Sequence, residues 1–168
     1  RLSPEQMLYI IEHAGDRLLF VDTTFVPIIE KLIPKLPKNL VIIVMASSDD
    51  SSTLSDNFLN YEQLILESSH DIIWPELPEN TAAGLCYTSG TTGNPKGALY
   101  SHRSTVLHAL TTSLNLGPSL GDGMKVLPVV PLFHVNAWGL PYAAPLTGAS
   151  LIFPGPNLDG GSLFNLMD

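Results

Sequence analysis

Apolar and polar positions change period several times along the chain, and each change predicts an element. Ser3-Pro4-Glu5-Gln6 reads as a helix start, with Ser3 as cap, Pro4 in the first turn and Gln6 closing a capping box. Met7, Ile10, Ile11 and Ala14 then recur at helical spacing, and Gly15 supplies the stop. The short apolar run Leu18 to Val21, ending in Asp22, reads as a buried strand. Residues 25–36 read as a helix with Pro27 early and Pro34 near its end, and the Val- and Ile-rich run 40–45 as a second buried strand. Residues 46–57 are rich in Ser and Asp and are expected to form a mobile surface loop, followed by a short helix over 61–67.

A proline-punctuated link through Trp74-Pro75 and Leu77-Pro78 leads to the second half. There, 82–87 reads as a strand entering a glycine-rich turn, and 97–100 as a strand on its far side. Ser101 caps an expected helix reaching about Asn115. A strand over 125–130, a helix over 138–146, a strand over 149–153 and a helix over 161–167 complete the pattern. Strands alternating with helices predict an α/β fold with a mostly parallel sheet flanked by helices.

Composition narrows the function classes. At 168 residues with 45% apolar content, the chain can bury a core. No apolar run approaches the ~18 residues of a membrane-spanning helix. No signal-peptide pattern opens the chain, and Arg1 in place of Met reads as a cut end. Sixteen acids against eight bases give a net charge of −8, which excludes a basic face for nucleic acid. The single cysteine, Cys86, excludes an internal disulfide framework and a cysteine-only zinc site.

The segment richest in chemistry is Tyr87-Thr88-Ser89-Gly90-Thr91-Thr92-Gly93-Asn94-Pro95-Lys96-Gly97. It sets three glycines, three threonines, a serine and a lysine between two apolar strands. Glycines let backbone N–H groups approach a ligand, hydroxyls donate to phosphate oxygens, and Lys96 adds a fixed positive charge. An ordinary polar hairpin loop does not require so many hydroxyls with a lysine. The standard P-loop needs Gly-Lys-Ser/Thr leading into a helix, whereas Lys96 follows Asn94-Pro95 and precedes Gly97 and a strand. A second patch, Pro131-Leu132-Phe133-His134-Val135-Asn136-Ala137-Trp138-Gly139, follows the expected strand over 125–130, at the end where open α/β sheets place ligands. Taken alone, His134 and Trp138 fit core packing as well as a site.

The run from Tyr87 to Gly97 resembles the phosphate-binding signature of the adenylate-forming superfamily. Tyr100-Ser101-His102-Arg103 resembles its continuation. The Phe133-His134 pair resembles the motif beside that family's acyl and adenylate pockets. Asn136-Ala137-Trp138-Gly139 is similar to the medium- and long-chain fatty acyl-CoA synthetases, in which a Trp gates a fatty-acid tunnel. The resemblance implies that residues 1–168 are a fragment of the large N-terminal, ATP- and acyl-binding domain, with ATP, Mg²⁺ and coenzyme A as cofactors and a fatty acid as substrate. It implies that Thr88, Ser89, Gly90, Thr91, Thr92, Gly93 and Lys96 bind the β- and γ-phosphates. Thr88 is the loop hydroxyl implied to lie nearest Mg²⁺, Lys96 the screen for departing pyrophosphate, His134 the neighbour of the carboxylate and α-phosphate, and Trp138 the acyl contact.

The chain stops at Asp168, before the family's aromatic-Gly-x-Thr-Glu segment, its ribose-binding Asp and the small C-terminal domain with its catalytic lysine. No lysine follows Lys125. The expectation is therefore a piece that is inactive alone. A cytoplasmic location is expected, with peripheral membrane contact and a homodimer left open. Two alternatives stay beside this reading: an adenylating enzyme for another carboxylic acid, and a non-catalytic nucleotide-binding module.

Overall fold

The computed structural model describes residues 2–47, 55–88, 93–155 and 157–167. The chain divides into two compact units, Arg1–Pro75 with Thr92–Pro95, and Glu76–Thr91 with Lys96–Asp168.

In the first unit, helix α1 (Pro4–Ala14) starts where the capping pattern puts it. The Gln6 amide donates to Ser3 Oγ at 3.3 Å, and the Ser3 amide donates to Gln6 Oε1 at 2.9 Å. Gly15 closes the helix at φ 69°, a conformation that favours glycine. Strands β1 (Leu18–Asp22), β2 (Val41–Met45) and β3 (Phe58–Asn60) form a parallel sheet with β2 in the middle. Ile42, Ile43 and Val44 are buried in succession, as a central parallel strand covered on both faces requires. They pack with Val21, Ile29, Leu32 and Phe58.

The helix expected over 25–36 is shorter. A 3₁₀ turn over Thr23–Phe25 leads into α2 (Val26–Leu32), and a second 3₁₀ turn, Ile33–Lys35, ends it. Pro34 lacks the N–H that would continue the ladder. Strand β3 lies where no element was expected. Three residues carry little propensity of their own, but burial of Phe58 contributes roughly 2–3 kcal/mol. Asn60 ends the strand and caps helix α3 (Tyr61–Glu67), accepting from the Gln63 amide at 3.1 Å while its Nδ2 donates to the Ser47 carbonyl at 3.1 Å. The greater part of the expected surface loop, 48–54, lies outside the described residues.

In the second unit, β4 (Ala82–Thr88) and β5 (Lys96–Ser101) pair antiparallel, with Tyr87 opposite Gly97 and Thr88 opposite Lys96. Helix α4 (His102–Leu116) follows, capped by Ser101, whose Oγ accepts from the Ser104 amide at 3.1 Å. Ala109 of α4 packs with Leu120 and with Ala143 and Ala144 of α6 (Leu140–Thr147). Strands β6 (Lys125–Val126) and β7 (Ser150–Leu151) pair parallel, and α7 spans Gly160–Met167.

Both strands here are shorter than the sequence pattern suggests. Pro128 and Pro131 remove ladder donors beyond Val126, so among the described residues the segment from 127 to 131 joins no strand. Beyond Leu151 a single bond, from the Ile152 amide to the Val126 carbonyl at 2.8 Å, extends the ladder. The α/β class matches expectation, with parallel pairing in the first sheet and in β6–β7. Among the described residues, antiparallel pairing is confined to β4–β5, and the strands form three separate sheets rather than one.

Candidate functional site

The glycine-rich segment forms the end of a β-hairpin. Strand β4 delivers it, β5 carries it away, and the last pair before the turn is Thr88 and Lys96. Directly opposite residues of an antiparallel pair project from the same face, so the hydroxyl and the ammonium stand side by side. Both residues are exposed. Thr88 Oγ1 donates to the Lys96 carbonyl at 3.3 Å, which fixes the rotamer and leaves the oxygen's lone pairs outward. Among the described residues, Lys96 makes no ion pair, whereas Arg103 pairs with Glu79 at 2.6 Å on the surface.

Glycine suits two places here, by backbone conformation at one and by close approach of a side chain at the other. Gly93 holds φ 91°. At Gly97, a Cβ would fall 2.8 Å from Leu85 Cδ1 across the ladder. Pro95, just before β5, is fully buried. Four of the expected phosphate-binding residues, Ser89, Gly90, Thr91 and Thr92, lie outside the described residues.

The second motif departs from expectation. A helix over 138–146 was expected. Instead, Val135–Trp138 forms a separate turn, α5, before α6 begins at Leu140. All four residues have positive φ: 51° at Val135, 49° at Asn136, 46° at Ala137 and 56° at Trp138. Asn136 and Ala137 have ψ of 43° and 47°, so the chain makes a left-handed helical turn from residues that carry side chains. Such backbone costs roughly 1–2 kcal/mol per residue, more acutely at β-branched Val135. The Ala137 amide bonds to the His134 carbonyl at 3.0 Å, and the Gly139 amide to the Asn136 carbonyl at 2.9 Å.

Two contacts brace this turn. Cys86 Sγ donates to Asn136 Oδ1 at 3.2 Å, and His108 Nε2 lies 3.0 Å from the Trp138 carbonyl oxygen. Cys86 is on β4, two residues before Thr88, and Asn136 is two residues after His134. The β4–β5 hairpin and the His134 motif therefore adjoin. The strand expected to present His134 ends at Val126, so His134 sits on a proline-rich segment and not at a strand's end. His134 is exposed, Phe133 is 80% exposed and Trp138 61% exposed, so none of the three is a core residue of the second unit. Beside Trp138 opens a cleft of about 510 Å³, lined by His108, Thr112, Leu120, Val126, Trp138 and Leu140 among others.

Sequence reasoning missed Cys86, Asn136 and His108 as parts of this arrangement. One signal was available: Asn is among the few residues that tolerate a left-handed conformation, and it stands three positions before Gly139. Magnesium, which the resemblance implies, fits this hairpin in one respect. Thr88 offers a hard hydroxyl oxygen, while no cluster of three His, Cys, Asp or Glu side chains gathers among the described residues. The ion's other ligands would come from phosphate and water, as is usual for Mg²⁺.

Comparison with known proteins places the chain among relatives of known name. The chain is 50% identical, over 168 residues, to the medium-chain-fatty-acid–CoA ligase of Ectopseudomonas oleovorans, covering 99% of this chain and 31% of that protein. It is 47% identical over 171 residues to the 3-methylmercaptopropionyl-CoA ligase of Ruegeria pomeroyi, covering 100% of this chain and 31% of that protein. The chain thus spans about a third of the length of the curated relatives it matches. The fold is similar to that of a red-emitting luciferase from Phrixothrix hirtus, with a TM-score of 0.77 at 20% identity over 99% of this chain and 32% of that one. The family model described as AMP-binding enzyme matches residues 1–168. With the hydroxyl- and lysine-bearing hairpin set against the His134 turn, the chain belongs to the AMP-binding enzyme family.

Proposed function

We propose that the protein carrying this chain activates a fatty acid with ATP, first to an acyl-adenylate and then to the acyl-CoA thioester. The observation that carries the reading is the β4–β5 hairpin. It pairs Thr88 with Lys96 at the mouth of a turn rich in hydroxyls and glycines, with the His134 motif alongside. In the first step a carboxylate oxygen attacks the α-phosphorus and the bond to the β-phosphate breaks, releasing pyrophosphate. In the second, the thiolate of coenzyme A attacks the acyl carbonyl and AMP departs.

Lys96 stabilises the negative charge that grows on the β- and γ-phosphates, by pre-set electrostatics with no covalent role. Thr88, with Ser89, Gly90, Thr91, Thr92 and Gly93, forms the cradle that orients the polyphosphate in line with the incoming carboxylate. Thr88 would hold a Mg²⁺ ion in part, and that ion would supply charge neutralisation on the phosphates. His134 borders the carboxylate and the α-phosphate. Trp138 contacts the acyl chain at the cleft. The chain is then part of the ATP- and acyl-binding N-terminal domain.

The fatty-acid assignment draws on the 50%-identical relative named as a medium-chain-fatty-acid–CoA ligase. A second reading, another small carboxylic acid, is favoured by the 47%-identical relative named for 3-methylmercaptopropionate. Pyrophosphate exchange on the full-length protein, with a panel of fatty and short substituted acids, tests both. Exchange peaking on medium or long saturated acids supports the first reading, and a peak on a short thioether acid supports the second. No exchange with any acid leaves a nucleotide-binding module. Within the first reading, Trp138→Ala shifts the preferred chain length while the KM for ATP holds. An unchanged profile removes Trp138 from the acyl site.

A further inference from the structure

The left-handed turn at Val135–Trp138 has a physical problem to solve. Four consecutive residues with side chains hold φ between 46° and 56°, and such backbone persists only where its surroundings over-determine it. Backbone bonds within the turn, among them those from Ala137 to His134 and from Gly139 to Asn136, are local and do not by themselves select the left-handed form. The restraint comes from other elements. His108, on α4, reaches the Trp138 carbonyl at 3.0 Å. A carbonyl oxygen only accepts, so Nε2 of His108 carries the hydrogen. Cys86, on β4, holds Asn136 at 3.2 Å.

Gly139 completes the arrangement. It is buried, it holds φ 77°, and a Cβ on it would fall 2.5 Å from His108 Cδ2 and 2.8 Å from Nε2. The missing side chain is the space the imidazole occupies. His108 and Trp138 also line the same cleft of about 510 Å³. A histidine that holds the carbonyl of a residue restrains that residue's ψ, and with it the direction of the Cα–Cβ bond relative to the neighbouring peptide, from which χ1 then aims the ring.

We propose that His108, assisted by Cys86, is a positioning residue that locks the left-handed turn and so sets where the Trp138 indole stands on the cleft wall. Acyl selectivity then depends on a histidine acting through the backbone of its neighbour. The proposal rests on the acyl-activation reading for its substrate, but not for the lock itself.

The test uses the full-length protein with 5-fluorotryptophan and four variants: His108→Ala, His108→Gln, His108→Leu and Cys86→Ala. Gln can donate to the same carbonyl, and Leu fills space without a donor. His108→Ala is expected to compress the ratio of kcat/KM between the preferred and the poorer chain lengths by about tenfold, with the KM for ATP unchanged. The Trp138 fluorine resonance is expected to move in His108→Ala and to return in His108→Gln. Cys86→Ala moves both readouts in the same direction by less, and keeps the proposal testable should His108→Ala not fold. A wild-type chain-length profile and an unmoved resonance in His108→Ala overturn it, as does rescue by Leu equal to rescue by Gln. A wild-type protein that activates no acid overturns the acyl reading alone, since the fluorine resonance reads the lock without substrate.

Discussion

At the scale of single residues, position decides what each charged side chain can do. Lys96 stands exposed opposite Thr88 and pairs with no acid among the described residues. Removing it therefore takes nothing from the fold. Lys96→Ala in the full-length protein is expected to slow adenylation by about 10²–10³-fold, as the loss of one pre-set electrostatic contact does. Stability is expected to change by less than about 0.5 kcal/mol. Parallel pyrophosphate exchange and thermal melting check this, and an equal rate removes the role. Asp16 is the opposite case. Burial pushes its carboxyl pKa up, so the charged form is disfavoured in the fold. The folded state then holds the proton more tightly than the unfolded one, and the penalty is fully present above the folded pKa. Asp16→Asn should raise Tm at neutral pH, with the gain fading as pH falls through the raised pKa toward the ordinary aspartate range. A gain that is flat with pH would contradict that account.

Elements obey the same logic on a longer reach. Helix α4 carries His108 on one side, and its start is fixed by reciprocal bonds between Ser101 and Ser104. Ser101→Ala deletes that cap and is expected to cost about 1 kcal/mol, measured as a fall in the denaturant midpoint with unchanged slope. The elements most legible in the sequence were those with chemical punctuation. Ser3 to Gln6 and Gly15 framed α1, and the Val/Ile run framed β2. Elements defined by their partners were less legible. Strand β3 depends on β2 and on burial of Phe58, neither of which its three residues announce. Strand β6 ends early because prolines follow, a signal that was present in Pro128 and Pro131 and outweighed by the apolar pattern around them. The turn at Val135–Trp138 was not legible, because left-handed backbone has no periodicity of its own and depends on contacts from Cys86 and His108.

For the molecule as a whole, the sequence carried the family plainly and the site's support poorly. The hydroxyl, glycine and lysine run is contiguous, so Thr88 and Lys96 could be recognised before any fold was known. The bracing residues come from positions 22 and 30 or more apart in the chain, and no local pattern links Cys86, His108 and Trp138. Each unit also leaves large apolar side chains in water, among them Leu66 at 78% and Ile73 at 96% in the first, and Leu114 at 83% in the second. Isolated apolar side chains are normal at a surface, but many together mark faces that seek cover. The 168-residue chain expressed alone is therefore expected to bind a hydrophobic dye and to self-associate at micromolar concentration. Sedimentation velocity checks this, and a clean monomer with no dye signal would contradict it.

The thiol that holds Asn136 is the chain's one cysteine. That coincidence turns the brace into a clock. This sulfur is only half-buried, so a thiol reagent reaches it slowly while Asn136 holds it and faster when the turn lets go, and the labelling rate of the 168-residue chain, compared with that of an unstructured thiol, rises with opening of the left-handed segment. No substitution or added probe is needed to read it.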